Sequence, residues 1–289
     1  SAELVNTIFF ELKTKSLNPK LSGISSGFYD LDALTQGFQK SDLIIVAGRP
    51  SMGKTSLSLN IASNVIKNSK LPVLFFSLEM SKEQIMYKLL SMETNINQMR
   101  LKGGKLYQND WIKLTKMIKI ISKFPLFIDD TFNLSIQDIK SKIKTILFEQ
   151  NQLGLVIIDY IQLMQTTNFE NENRVQELSK ITRSLKKIAR EFNIPIIGLS
   201  QLSRNVENRV DKKPILSDLR ESGSIEQDAD LVIMLYKNKL ENSFASQPIA
   251  NTSKSIELII AKHRNGPTGT VQLKFHEEQT KFFNKETNF

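Results

Sequence analysis

Short runs of apolar, largely β-branched residues recur along the chain, at positions 43–47, 73–76, 126–128, 155–158, 194–199 and 231–236. Each is too short for a helix and lacks the alternation of a half-solvated strand, so each predicts a strand buried on both faces. Between them lie segments with helix-start signals. Ser81-Lys-Glu-Gln84 and Ser135-Ile-Gln-Asp138 each place a hydroxyl three residues before an acceptor, the spacing of a capping box. After Asn173, apolar residues Leu178, Ile181, Leu185, Ile188 and Phe192 recur every three or four positions, predicting a long helix with one apolar stripe. Its opposite face is basic, through Lys180, Arg183, Lys187 and Arg190. Strands alternating with helices predict an α/β fold with a mainly parallel sheet. The pattern changes near the C-terminus, where two alternating segments, 256–261 and 270–275, flank His263-Arg-Asn-Gly-Pro-Thr-Gly269 and predict a β-hairpin. Two polar stretches after strand ends, 166–173 and 204–214, read as mobile, ligand-contacting loops. Residues 1–17 stand apart as a small amphipathic helix built on Leu4, Ile8, Phe9 and Leu12, stopped before Pro19; it packs either on its own domain, residues 18–289, or on a neighbouring molecule.

Composition narrows the chemistry. The chain has 289 residues, 39 Lys+Arg against 30 Asp+Glu, two His and no Cys. Disulfides, thiolate metal sites and Cys nucleophiles are excluded, and His263 and His276 alone make a poor zinc site. Reaction chemistry must therefore run on carboxylates, hydroxyls and cations. A net charge of +9 fits a nucleic-acid partner and a solvated surface equally well. No apolar run approaches the ~18 to 20 residues of a membrane span, so a soluble intracellular protein is expected.

The most specific local signal follows the first strand. Gly48, Arg49, Pro50, Ser51, Met52, Gly53, Lys54 and Thr55 fit G-x-x-x-x-G-K-[ST] at every fixed position, between a predicted strand and a helix that continues through Ser56. Glycines let the backbone wrap around phosphates, successive N–H groups bind anions, Lys54 neutralises charge and Thr55 ligates Mg²⁺. A second oxygen ligand is needed on a nearby strand end, and Asp159 closes the run 155–158. Glu79, at the end of the next strand, is either a general base or a plain helix-start carboxylate before Ser81. Gln201 closes another strand and suits a γ-phosphate sensor.

Taken together, Gly48 to Thr55, Ser77-Leu-Glu-Met80, Val156-Ile-Ile-Asp-Tyr-Ile-Gln-Leu-Met164, Leu199-Ser-Gln-Leu-Ser-Arg204, the stretch Ser217 to Asp230, and Lys262-His-Arg-Asn-Gly-Pro-Thr-Gly269 resemble the C-terminal motor domain of DnaB-type replicative helicases. The resemblance runs collinearly from about Ser22 to the C-terminus. It implies a RecA-like core that forms a hexameric ring on single-stranded DNA and couples hydrolysis of ATP or another NTP, with Mg²⁺, to 5′ to 3′ translocation and unwinding. By position it implies Lys54 and Thr55 as phosphate and Mg²⁺ contacts, Glu79 as catalytic carboxylate, Asp159 as Mg²⁺-associated acid and Gln201 as γ-phosphate sensor. Arg264 and Lys262 would be fingers reaching the neighbour's nucleotide, and Arg220, Glu221 and Gly223 would grip the DNA backbone, Glu221 by orienting Arg220 or through its own N–H. His263 stands where relatives more often carry Gln, and strand alternation should turn it away from the phosphate.

Full-length relatives precede this motor with a domain that binds primase and shapes the ring. The N-terminal Ser suggests a cut or processed fragment, in which primase and loader contacts are in doubt, while the helix at 1–17 and the finger hairpin would join subunits. Abundant Lys, Asn and Ile point to an AT-rich genome, hence a plastid stroma or a bacterial cytoplasm and nucleoid. Two other functions share the P-loop: a RecA-like recombinase, and a nucleotide-binding assembly module with little turnover. The segment 220–230 and the late hairpin favour the helicase over the first, and Glu79 argues against the second.

Overall fold

The computed structural model describes residues 21–164, 174–209, 211–219, 223–237 and 253–285. Residues 1–17, all of 166–173, Arg220 and Glu221 lie outside them, so the N-terminal helix, one expected loop and two expected DNA contacts are not described. Among the described residues, nine strands form one sheet in the order β3-β2-β4-β5-β1-β6-β7-β8-β9. The first six are β1 (Leu43–Gly48), β2 (Val73–Ser77), β3 (Leu126–Asp129), β4 (Leu155–Asp159), β5 (Ile196–Gln201) and β6 (Leu231–Tyr236), all mutually parallel. These coincide with the six apolar runs. The expectation of burial on both faces fails at β3, whose residues are all half-buried because it is the edge strand, paired only with β2.

Strand alternation divides each central strand between two cores. Ile44 and Val46 face one layer, formed with helix α2 (Lys54–Asn64), where Leu57, Leu59 and Ile61 are buried. Leu43, Ile45 and Ala47 face the other, formed with α6 (Ile136–Gln150) and α7 (Arg174–Phe192). In α7 the expected stripe is realised: Leu178, Ile181, Leu185 and Ile188 are buried, and Lys180, Arg183, Lys187 and Arg190 lie on the more solvated side. Both expected capping boxes form. Ser81 caps α3 (Lys82–Thr94), its hydroxyl accepting from the Gln84 N–H while the Gln84 side chain accepts from the Ser81 N–H, and Ser135 with Asp138 does the same for α6. The remaining helices are α1 (Tyr29–Thr35), α4 (Gln98–Lys102), α5 (Gln108–Ile121) and α8 (Gly223–Asp228).

The expected C-terminal hairpin forms, with one addition. It is β7 (Ser253–His263) and β8 (Gly269–His276), and a third strand, β9 (Lys281–Asn284), returns beside it. β7 pairs antiparallel with β6 across an irregularity at Val232/Ile233, so the hairpin continues the same sheet. Residues 204–214 are not a plain loop, because Arg204–Asn208 forms a short 3-10 turn and Val206 is buried beneath it.

Candidate nucleotide site

Parallel strands present their C-terminal ends on one edge of the sheet, where α/β proteins place ligands. On that edge the ends of β1, β2, β4 and β5 surround a cleft of about 420 Å³. Lys54, Thr55, Glu79, Asp159 and Gln201, taken from four separate sequence segments, all line it.

The loop between β1 and α2 forms one wall. Gly53, with φ at 88°, has a conformation and a close approach that both exclude a side chain, since a Cβ there would lie 3.2 Å from the rings of Phe275 and Phe282. Those two rings stack at 4.3 Å and support the loop from below. The Lys54 ammonium donates to the carbonyls of Gly48 at 2.9 Å and Arg49 at 3.3 Å. Burial holds its pKa below the usual lysine value, against the attraction of Asp159 and Glu79. Pro50, Ser51 and Ser56 complete this wall. Gly48, Arg49 and Met52, also expected among the nucleotide contacts, lie in the same loop but outside the lining of this cleft. Gly48 ends β1 beneath the Lys54 stem and Met52 packs against the core. Arg49 is drawn to the Leu202 carbonyl at 2.8 Å and the Glu207 carboxylate at 2.9 Å.

Thr55 and Asp159 meet directly, the threonine hydroxyl donating to Asp159 Oδ2 at 2.6 Å. Asp159 is 2% exposed. Burial pushes its pKa up to about 6, with Glu79 adding to the rise and the Thr55 bond, Lys54 and Lys88 opposing it. A buried carboxylate beside a hydroxyl is a hard oxygen pair of the kind that holds Mg²⁺ together with phosphate oxygens. Among the described residues no cluster of three or more His, Cys, Asp or Glu could hold a metal unaided. The donor set therefore fits a metal delivered with a phosphate ligand.

Glu79 stands on a turn pinned at both sides: the Leu78 N–H donates to the Asp159 carbonyl at 2.7 Å, and the Ser77 hydroxyl to the Met80 carbonyl at 2.6 Å. Its carboxylate is thereby held at the mouth of the cleft, exposed to water. Gln201 ends β5 beside Gly48 of β1. Lys88, Phe275 and Thr280, to which no motif pointed, also line the cleft, as does Tyr160, which follows Asp159 in its motif. Lys88, on α3, has its pKa lowered mainly by burial, and it feels Asp159 and Glu79 across the cleft.

The expected finger residues sit elsewhere. Because β7 runs antiparallel to β6, with Leu231 opposite His263, the turn after β7 falls at the edge of the sheet away from the P-loop. Six residues of β6 separate the two edges, about 17 Å of strand. Lys262 and Arg264 therefore cannot serve the cleft of their own chain. His263, between them, bends over the turn with Nδ1 3.2 Å from the Pro267 carbonyl oxygen. Of the three residues expected at DNA, Gly223 alone is described, as the first residue of α8.

A glycine-rich loop between a central strand and a helix, with a carboxylate at the end of the next strand but one, defines a RecA-like P-loop nucleoside triphosphatase. Residues 23–284 match the DnaB-like helicase C terminal domain, and the chain belongs to that family. It is 65% identical over 283 residues to a probable replicative DNA helicase of Trieres chinensis, covering 98% of this chain and 62% of that protein. It is 50% identical to the replicative DNA helicase DnaB of Geobacillus stearothermophilus, covering 93% of this chain and 58% of the relative. The chain thus spans about three-fifths of the length of these curated relatives. Among solved structures it resembles an isolated ATPase domain, with a TM-score of 0.88, 38% identity and coverage of 99% of this chain and 98% of that one. It also resembles a DnaB-like replicative helicase described with its interactions with primase, with a TM-score of 0.86, 38% identity and coverage of 99% and 67%.

Proposed function

We propose that this chain is the motor domain of a replicative DNA helicase, hydrolysing ATP with Mg²⁺ to drive 5′ to 3′ translocation on single-stranded DNA and strand separation as a hexameric ring. The observation that supports the reading is the split arrangement: one chain carries a P-loop cleft and, on the opposite sheet edge, two cations too far away to serve that cleft.

In this mechanism Lys54 exchanges its bonds to the Gly48 and Arg49 carbonyls for the β- and γ-phosphates. Thr55 and Asp159 would hold the metal, which would supply charge neutralisation when bound. Glu79, at the water-exposed mouth, accepts the proton of the attacking water, and Gln201 orients that water or senses the γ-phosphate. Lys88 adds a second cation from the same chain. Arg264 and Lys262 of an adjacent subunit complete the charge around the transferring group, while Arg220, Glu221 and Gly223 hold the DNA backbone without reading bases. We assign residues 1–17 to subunit contacts, and primase and loader binding to the longer proteins. Among the described residues no helix is long and apolar enough to cross a membrane. We place the protein in a plastid stroma or a bacterial nucleoid.

The test is complementation. Arg264→Ala should bind ATP yet lose about 10³ to 10⁵ in rate, as trans fingers do in other P-loop enzymes. Mixed with Lys54→Ala subunits, it should regain turnover, because some interfaces then pair an intact P-loop with an intact finger. Rings shown to have exchanged subunits, yet no more active than the separate mutants, would refute the split site.

A further inference from the structure

Lys262 and Arg264 do not project freely from the hairpin. The Lys262 ammonium donates to the main-chain carbonyls of Glu226 and Gln227, the latter at 3.3 Å. Arg264 donates through Nη2 to the same Gln227 carbonyl and through Nη1 to Asp230 Oδ1 at 3.2 Å. Its own N–H donates to the Asp230 carbonyl at 2.8 Å. Both cations therefore cap the C-terminal, negative end of α8. Asp230 is 5% exposed and anchored from its other oxygen, which accepts from the Leu43 N–H at 2.9 Å and from Lys186.

The helix so capped starts at Gly223, the described end of the segment assigned to DNA. It is seated by Ile225, with Ala229 just beyond it, both fully buried, and by Asp228, which accepts from the Thr182 hydroxyl of α7 at 2.9 Å. A displacement at its N-terminal end must move the carbonyls at its C-terminal end, because a single turn and a half of helix is too short to absorb it by bending.

We propose that Asp230 and the last carbonyls of α8 form a latch that withholds Lys262 and Arg264 from the neighbouring nucleotide until single-stranded DNA is seated at the other end of α8. DNA bound by one subunit then licenses hydrolysis at the next. Asp230 is a positioning residue in this scheme, acting through Arg264. The inference rests on the reading of Lys262 and Arg264 as trans fingers.

The experiment is steady-state ATP hydrolysis by Asp230→Asn rings, with and without saturating oligo-dT. Losing one charge-assisted bond corresponds to about tenfold in an equilibrium. The DNA-free rate should therefore rise about tenfold while the DNA-saturated rate and the affinities for nucleotide and oligo-dT stay within about twofold. A purely structural role would lower both rates together, and that outcome, or an unchanged ratio of the two rates, overturns the latch. Arg264→Ala combined with Asp230→Asn must be as inactive as Arg264→Ala alone; DNA-free turnover in the double variant would show that the rise bypasses the finger. Should Asp230→Asn fail to fold for want of its Leu43 and Lys186 contacts, Thr182→Val decides. It loosens α8 from α7 without touching Asp230, and should reduce DNA stimulation in the same way; an unchanged ratio there overturns the proposal. If Arg264→Ala hydrolyses ATP normally, the finger reading itself fails. If it is inactive while both latch variants keep the wild-type ratio, the finger stands and the latch does not.

Discussion

Replacing Asp159 by Asn should stabilise the nucleotide-free protein. The carboxyl is 2% exposed, and its pKa is pushed up from 3.8 to about 6, chiefly by burial. The folded state therefore holds the proton more tightly than the unfolded chain. Stability from this group is complete below about pH 4 and is lost as pH rises through about 6. Two units correspond to about 3 kcal/mol at pH 7 to 8, an upper figure for what a neutral amide recovers. Asn keeps an oxygen to accept the Thr55 hydroxyl, so the local geometry survives. For a domain of this size the gain amounts to roughly 5 to 10 °C. The assay is thermal unfolding of both proteins from pH 4 to 8 in chelator without nucleotide, read as the difference between them. Asp42, also pushed up to about 6 by burial, titrates in both and cancels. The difference should be smallest near pH 4 and widen through pH 6. Parallel profiles, or a variant that melts earlier at pH 8, would refute the reasoning. With Mg²⁺ and ATP added the order should reverse. At a thousandfold excess over Kd the ligand stabilises wild type by about 4.1 kcal/mol, more than the roughly 3 kcal/mol upper figure for the amide, and the variant lacks the carboxylate that helps bind it.

Lys54→Ala should abolish hydrolysis and leave the nucleotide-free melting temperature within about 2 °C of wild type, because its ammonium bonds only to loop carbonyls; unchanged turnover in a steady-state assay would remove Lys54 from the site. Glu79→Gln should keep ATP affinity and lose about 10² to 10⁴ in rate, and a parallel fall in affinity measured by equilibrium binding would make Glu79 structural. Arg220→Ala should weaken oligo-dT binding and flatten its dependence on salt, since a phosphate contact fewer releases fewer counterions; an unaltered slope would place the DNA grip elsewhere.

The central strands were legible because burial on both faces demands uninterrupted β-branched runs, and 231–236 was read to the residue. The edge strand β3 carries the same type of run, and nothing local distinguishes an edge from a centre. β9 was missed because Lys281-Phe-Phe-Asn284 is only four residues long, and its pairing depends on β8 already being in place. In the cleft, Lys54, Thr55 and Asp159 announce themselves by their spacing from strand ends. Lys88 does not: on an amphipathic helix it looks like any solvated lysine until α3 is laid across the mouth of the cleft. Phe275 is similar, an ordinary strand phenylalanine whose place beneath Gly53 follows from contact across more than 200 residues of chain. The grip of Glu207 on Arg49 likewise depends on the fold of a segment read as a mobile loop.

The charge of the cleft gives a reason for completing it from another subunit. Its described lining carries two cations, Lys54 and Lys88, against the carboxylates Glu79 and Asp159, with Glu277 already paired to Lys237 and Lys254, so 2 − 2 leaves no net positive charge for a nucleotide. Arg49, the nearest further cation on the loop, is committed to Glu207 and the Leu202 carbonyl. Lys54 and Lys88 already have their pKa values lowered by burial, and a triphosphate must be neutralised in the same desolvated space. A divalent ion held by Thr55 and Asp159 supplies part of the missing charge. The remainder cannot come from this chain's own finger hairpin, because β6 separates it from the P-loop by about 17 Å of strand. An isolated subunit should therefore bind nucleotide weakly and hydrolyse it slowly. Apposition of a second copy, if it brings Lys262 and Arg264 to the cleft as proposed, would correct its charge balance and make turnover a property of the interface.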